Sequence, residues 1–480
     1  MGELTDLDAE ALSRAIHARE VSCREVMRAY LDRVHRINPH FNAIVSLAPD
    51  DVLLAQADEC DAELARGHSR GWMHGMPQAI KDTGHALGFP STMGSAVYRD
   101  LMPQADSLYV ARMKAAGCIV IGKTNMPEFG LGSHTYNSVF GLTRNAWDAT
   151  RSAGGSSGGA AVALAQRLLP VADGSDFMGS LRNPAGWNHV FGMRPSQGRV
   201  PGWPRPDVWI MQLATDGPMA RNVRDLARLL SIQAGHDPRA PLSIAEGPRD
   251  FVPGAVARAG DVRVGWLGDL GGHLAMEDGV LATCEGALDI LASAGAQVEP
   301  MAHGFAAEAV WQSWLVWRRA LVAPNVAAAL ALPGARDRIK PEALWEHDSE
   351  QGLSFDAFMH ASMARTAFHS HMLALLARCD VLALPSAQVW PFDGQTHWPR
   401  QIAGRSMDTY HRWMEVTLYA TFAGLPAISI PAGFDPQGRW PMGLQLIGRP
   451  GGDAELLQIA ALYEQLAQPM LQRRPAEPVQ

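Results

Sequence analysis

Residues 152–160, Ser152-Ala153-Gly154-Gly155-Ser156-Ser157-Gly158-Gly159-Ala160, read SAGGSSGGA and open into AVALAQRLL. Four glycines and three serines crowd into nine residues ahead of an apolar run of helical character. Such a loop can cradle phosphate, turn a nucleophile into view or link domains. A formal phosphate-loop match, Gly117 to Thr124 (GCIVIGKT), lies upstream. A phosphate loop needs a strand before its first glycine and a flexible loop between the glycines, so that backbone N–H groups face the anion. Here a helical stretch precedes Gly117 and the intervening CIVI is itself strand-like, which argues against nucleotide binding. Gly155-Ser156-Ser157-Gly158-Gly159 also fits G-x-S-x-G, the nucleophile elbow. An elbow needs a strand running into it. The residues before it, NAWDATRSAG, are polar and turn-rich. A flexible linker would not open directly into an apolar helix.

Outward from this loop, the 480 residues suffice for one large core or several smaller ones. Hydrophobic residues make up 47% and charged residues 19%, the balance of a globular protein. A net charge of -8 carries no basic footprint for nucleic acid and no polybasic membrane patch. The acidic start MGELTDLDAEALSRAIHARE lacks the charged and apolar regions of a signal peptide, and no apolar run reaches membrane-spanning length. Cys23, Cys60, Cys118, Cys284 and Cys379 are scattered without a CxxC, as expected of reduced thiols in the cytoplasm. Only four basic residues are lysine: Lys81, Lys114, Lys123 and Lys340. In so Arg-rich a chain, a lysine marks a place where arginine does not serve.

The N-terminal region reads as helical. Ser22-Cys23-Arg24-Glu25 has the form of a capping box, and Asn38-Pro39 is expected to end the helix that follows. Asp106 is positioned to cap a short helix stopping at Gly117, with CIVI as a buried strand behind it. The segment 235–254 is Pro-rich and charged and reads as a surface connection. DVRVGWLG, CDVLALPS and LPAISIPAGF read as further strands. Helices alternate with short apolar strands from end to end, the pattern of an α/β fold.

A second serine site lies downstream, in GSDFMGSLRNPAG (174–186), and a lysine closes the short alternation GMPQAIKD (75–82). With IGKTNMPEFG, GLTRNAWD, AGGSSGGAAVALA, FGMRPSQGRVP, FAGLPAISIPAGF and PMGLQLIGRP, these pieces resemble the amidase signature family, in the family's order across nearly the whole chain. The spacing fits as well: 75 residues from Lys81 to Ser156 and 24 from Ser156 to Ser180. The resemblance implies one α/β domain over residues 1–480, a central mixed sheet with helices on both faces, and an N-terminal helical region of about 1–65 packed on it. It implies a Ser–cis-Ser–Lys triad: Ser180 as nucleophile, Ser156 as the bridging serine after a cis peptide at Gly155, and Lys81 as base, with Ser157 in support. The oxyanion hole is expected from backbone N–H groups of Phe177, Met178, Gly179 and Ser180. Phe177-Met178 departs from the family's usual Thr-Gly. Phe129, Gly130 and Leu131 are expected to border the substrate.

Such a triad cleaves amides without a metal or other cofactor. A serine hydroxyl needs a base, and a neutral lysine can be one. Neutrality near pH 7–8 requires the Lys81 pKa to fall roughly 2–3 units from about 10.4. The competing role for Lys81 is a buried salt bridge with Asp82. Lys123 reads as structural. His369-Ser-His371 carries no metal signal beyond its spacing and reads as a surface feature. The 14 tryptophans against 7 tyrosines are mostly core, and the remainder favour a cleft for aryl groups. The expected function is hydrolysis of small aryl or apolar amides, extending to carbamates and esters. The alternative is an amidotransferase-type component that works only with partner subunits. The oligomeric state is not legible in the sequence.

Overall fold

The computed structural model describes residues 3–254, 256–350 and 352–478. The N-terminal region forms helices α1 (Ala9–His17), α2 (Cys23–Phe41) and α3 (Asp50–Ala65). The capping box of α2 is present: Ser22 accepts the Glu25 N–H, and Glu25 accepts the Ser22 N–H at 2.8 Å. The helix does not end at Asn38-Pro39. It runs through Pro39 and stops on Asn42, at φ 55. The Asn38 side chain secures this extra turn by accepting the N–H groups of Ala43 at 2.9 Å and Ile44 at 2.8 Å.

The expected large mixed sheet flanked by helices is present, and a small three-stranded sheet stands beside it. The small one joins β1 (Ile44–Val45), β2 (Pro77–Lys81) and β3 (Ile119–Thr124) in the order β1-β3-β2, with β2 and β3 parallel. Helix α4 (Leu108–Ala115) connects β2 to β3. Its N-cap is Ser107, not Asp106, whose carboxylate instead accepts the Leu87 N–H and Lys114 Nζ, each at 2.7 Å. Strand β3 occupies the space between the glycines of the formal phosphate motif, so no loop exists there to hold phosphate.

The large mixed sheet has eight strands: β4 (Ala172–Asp176), β5 (Phe191–Arg194), β6 (Thr215–Ala220), β7 (Arg263–Trp266), β8 (Gln297–Pro300), β9 (Val381–Pro385), β12 (Ala427–Phe434) and β13 (Pro441–Ile447). A small hairpin, β10 (Gln401–Ile402) and β11 (Arg405–Ser406), stands apart. The spatial order is β4-β6-β5-β12-β13-β9-β7-β8, so β4 is an edge strand. Helix α5 (Gly158–Ala165) is buried on every side, as its unbroken small apolar sequence requires. Helix α6 (Arg182–Asn188) is also wholly buried, against β12 and β13. α7 (Val223–Gln233) and α8 (Val280–Ser293) pack on the same sheet. The long α9 (Ala307–Leu330) pairs with α10 (Pro341–Asp348) and α11 (Phe355–Leu376). The segment 235–254 contains no helix or strand.

Candidate active site

The glycine loop is packed, not flexible: every residue from 153 to 160 is buried. Gly154 has φ +75, and a Cβ there would lie 2.5 Å from Asn183 Oδ1. A Cβ on Gly159 would strike the backbone N of Asn125. The glycines therefore admit close neighbours on both sides of the loop. The Gly155–Ser156 peptide is cis.

Three segments meet at this loop. Lys81 ends β2 with its side chain fully buried. Its Nζ lies 2.8 Å from Ser156 Oγ, 2.9 Å from Ser157 Oγ, 2.9 Å from Ser175 Oγ and 3.2 Å from the Ser175 carbonyl. Four oxygens crowd one nitrogen that makes three hydrogen bonds in either charge state; when neutral it donates two N–H and accepts one hydroxyl proton, which these serines can supply. Burial drives the Lys81 pKa down to about 7, against the pull of Asp216, Asp176 and Asp173. Asp82 is not its partner: that carboxylate stands 3.7 Å from Lys123 Nζ, which also donates to the Gly84 carbonyl at 2.6 Å.

Ser180 is buried beside the loop, and its carbonyl accepts the Ser157 N–H at 3.2 Å. No hydrogen bond joins Ser156 Oγ to Ser180 Oγ among the described residues. The Lys81–Ser156 link is thus made, while the Ser156–Ser180 link is not made among the described residues.

The turn before Ser180 corrects one expectation. Gly179 N–H already donates to Asp176 Oδ1 at 2.9 Å, and Leu181 N–H to Asp176 Oδ2 at 3.2 Å. Gly179 is therefore not a free oxyanion donor. The N–H groups of Phe177, Met178 and Ser180 find no protein acceptor among the described residues. Asp176 is gripped in turn by Arg182, at 3.0 and 2.9 Å. Burial alone would raise its carboxyl, but Arg182 and Arg194 hold it at about 2. The bulky pair in this turn divides. Met178 is buried, its carbonyl taken by Thr417 Oγ1 at 3.0 Å, whereas Phe177 faces the cavity and packs on Trp314 with ring centroids 5.1 Å apart.

That cavity holds about 300 Å³ and reaches Ser156 and Ser175. Phe129, Gly130 and Leu131 line it, with Phe177, Trp203 and Leu321. Of the other tryptophans, Trp187, Trp311, Trp314, Trp317, Trp390 and Trp413 are buried in the core, while Trp209 is exposed. His369 and His371 each hydrogen-bond a backbone carbonyl.

Ser175 and Asp176 were not singled out from sequence. The stretch GSDFMGS reads as a polar turn, yet Gly174-Ser175-Asp176 is the end of β4. Strand alternation puts Ser175 toward Lys81, a signal visible only once the strand is recognised.

A family model described as Amidase matches residues 25–457. The chain belongs to the amidase signature family. Among curated relatives, a glutamyl-tRNA(Gln) amidotransferase subunit of Thermosynechococcus vestitus is 31% identical, over 97% of this chain and 99% of the relative. The corresponding subunit of Acidothermus cellulolyticus is 32% identical, over 97% and 95%. Among solved structures, a bacterial aryl acylamidase of the amidase signature family superposes with a TM-score of 0.90 at 27% identity, covering 98% of this chain and 99% of that one. A 6-aminohexanoate cyclic dimer hydrolase superposes at 0.86 with 27% identity, over 98% and 99%.

Proposed function

We propose that this amidase-family protein is a metal-independent serine hydrolase of small aryl or apolar amides, with carbamates and esters as further substrates. The observation that carries this reading is Lys81 Nζ, buried, with no carboxylate in ion-pair contact among the described residues, and 2.8 Å from Ser156 Oγ. The Lys81 amine takes the Ser156 proton as Ser156 takes that of Ser180. Ser180 Oγ then attacks the amide carbon. Negative charge develops on the carbonyl oxygen, opposite the free N–H groups of Phe177, Met178 and Ser180. The proton returns through Ser156 to the departing nitrogen, and water repeats the sequence on the acyl-enzyme. Cavity walls of Phe129, Leu131, Phe177 and Trp203 favour an aryl or apolar group.

A second reading rests on the curated relatives: a component that works only within an amidotransferase assembly. Purified chain incubated with anilides, aliphatic amides, aryl esters and carbamates, without partner or nucleotide, separates the two. Turnover of an anilide supports the hydrolase. Silence on the whole panel, with glutamine hydrolysis appearing only when partner subunits are added, supports the assembly.

A further inference from the structure

Three residues before Asp176 lies a carboxylate that the mechanism above does not use. Asp173 is fully buried in β4, and no lysine or arginine forms an ion pair with it among the described residues. Its Oδ2 accepts the backbone N–H of Lys81 at 3.1 Å and the Tyr109 hydroxyl at 3.1 Å; its Oδ1 accepts Gln78 Nε2 at 3.2 Å. A buried charge without a counter-ion is costly and needs its hydrogen bonds satisfied. Asp173 and Ser175 stand two residues apart on one face of β4. Ser175 holds the Nζ end of Lys81, and Asp173 holds the backbone end. The strand therefore clasps the lysine at both ends, while Tyr109 joins the same carboxylate to the cavity wall.

We propose that Asp173 is a positioning residue for the base: it anchors the Lys81 backbone and presents negative charge to the ammonium formed as Ser180 attacks. This inference rests on the reading of Lys81 as base. Its logic is that of the carboxylate that orients and steadies the base in other serine hydrolases, with the carboxylate bonded here to the main chain. The charged groups around Lys81 are Asp173 and Asp176 on β4 and Asp216 on β6; Asp82 and Lys123 pair with each other. Asp173 acts on Lys81 in the direction that raises its pKa, against burial. Burial raises the carboxyl of Asp173 itself above the ordinary carboxylate range, and its three donors, with Lys123, offset only part of that rise.

The test is the pH dependence of two rates in wild type and Asp173→Asn: kcat/KM on an anilide, and fluorophosphonate labelling of Ser180. With the charge gone, the rising limb of both moves to lower pH by about half a unit to one unit, and kcat falls about tenfold with KM nearly constant. A limb that stays at the wild-type pH overturns the proposal, since a purely structural role lowers the folded fraction without moving it. Should Asp173→Asn not fold, the double variant Gln78→Leu/Tyr109→Phe strips two of the three donors and favours the uncharged carboxyl. It is expected to move the limb the same way, and an unmoved limb overturns the proposal equally. Retained anilide turnover in Lys81→Ala would instead remove the base itself, a result distinct from either.

Discussion

Asp82 and Lys81 are adjacent in sequence, yet the Asp82 carboxylate lies 3.7 Å from Lys123 and leaves Lys81 to three serines. The two buried lysines of neighbouring strands thus divide into one with a counter-ion and one without. The second is the one placed to lose its proton.

Lys81→Arg keeps charge and approximate length but cannot deprotonate. Its anilide turnover is expected to be as low as that of Lys81→Ala, about 10³-fold or more below wild type. In wild type, kcat/KM rises with pH along a limb near 7, because the amine is active only when neutral. Aryl esters lose less in Lys81→Arg than anilides do, since a phenoxide departs with little need of a proton. Near-normal anilide turnover in this variant would make Lys81 a structural charge.

The same lysine burdens stability. Its pKa is about 7 in the fold against about 10.4 in the unfolded chain, so the unfolded chain binds the extra proton between those values. This group therefore makes stability rise with pH across that window, and below it the full penalty of about 4–5 kcal/mol applies. Lys81→Met removes the titration. It is expected to be inactive and to melt about 2–4 °C above wild type at pH 7, with the gap closing towards pH 10. Melting curves across pH check both halves; a gap that widens with pH would contradict the assignment.

Ser180→Ala removes one oxygen and is expected to abolish turnover and fluorophosphonate labelling while the melting temperature stays near wild type. Mass spectrometry of the labelled wild-type protein should place the adduct on Ser180. An adduct on Ser157 would restore the nucleophile-elbow alternative. Overnight dialysis against a chelator should leave activity intact, since no step in the proposed route uses a metal.

Asp176→Asn leaves Arg182 and Arg194 buried without their carboxylate and loosens the turn that Asp176 ties through Gly179 and Leu181. Breaking a buried pair from one side costs about 3–5 kcal/mol, so denaturant unfolding should register a loss of this order. The folded fraction should also turn over more slowly, because the free N–H groups of the turn are no longer held in one arrangement.

Phe177→Ala removes the ring that packs on Trp314 but keeps the backbone N–H. Its effect should fall on substrate choice: KM for aryl amides rises about tenfold, while kcat changes little. A collapse of kcat with constant KM would place Phe177 in the turn's support instead of the pocket.

Much of this protein was legible in one dimension. The order and spacing of the segments carrying Lys81, Ser156 and Ser180 identified the family, because local chemistry fixes which residues must stand where around a turn. The Ser22–Glu25 capping box and the β3 strand that defeats the phosphate-loop match were legible for the same reason: helix caps and short strands are decided by residues close in sequence. What lay beyond the sequence depends on neighbours far apart in the chain. Asp173 meets the Lys81 backbone across 92 residues, and Arg182 reaches Gln445 across 263. Only packing decides which oxygens surround a buried amine, that Asp82 turns to Lys123, and that Asp176 consumes the Gly179 N–H. The division into two sheets has the same origin, since β2 and β4 carry Lys81 and Ser175 to one point from different sheets. Burial sets the charge state of Lys81, and burial is a property of the folded chain.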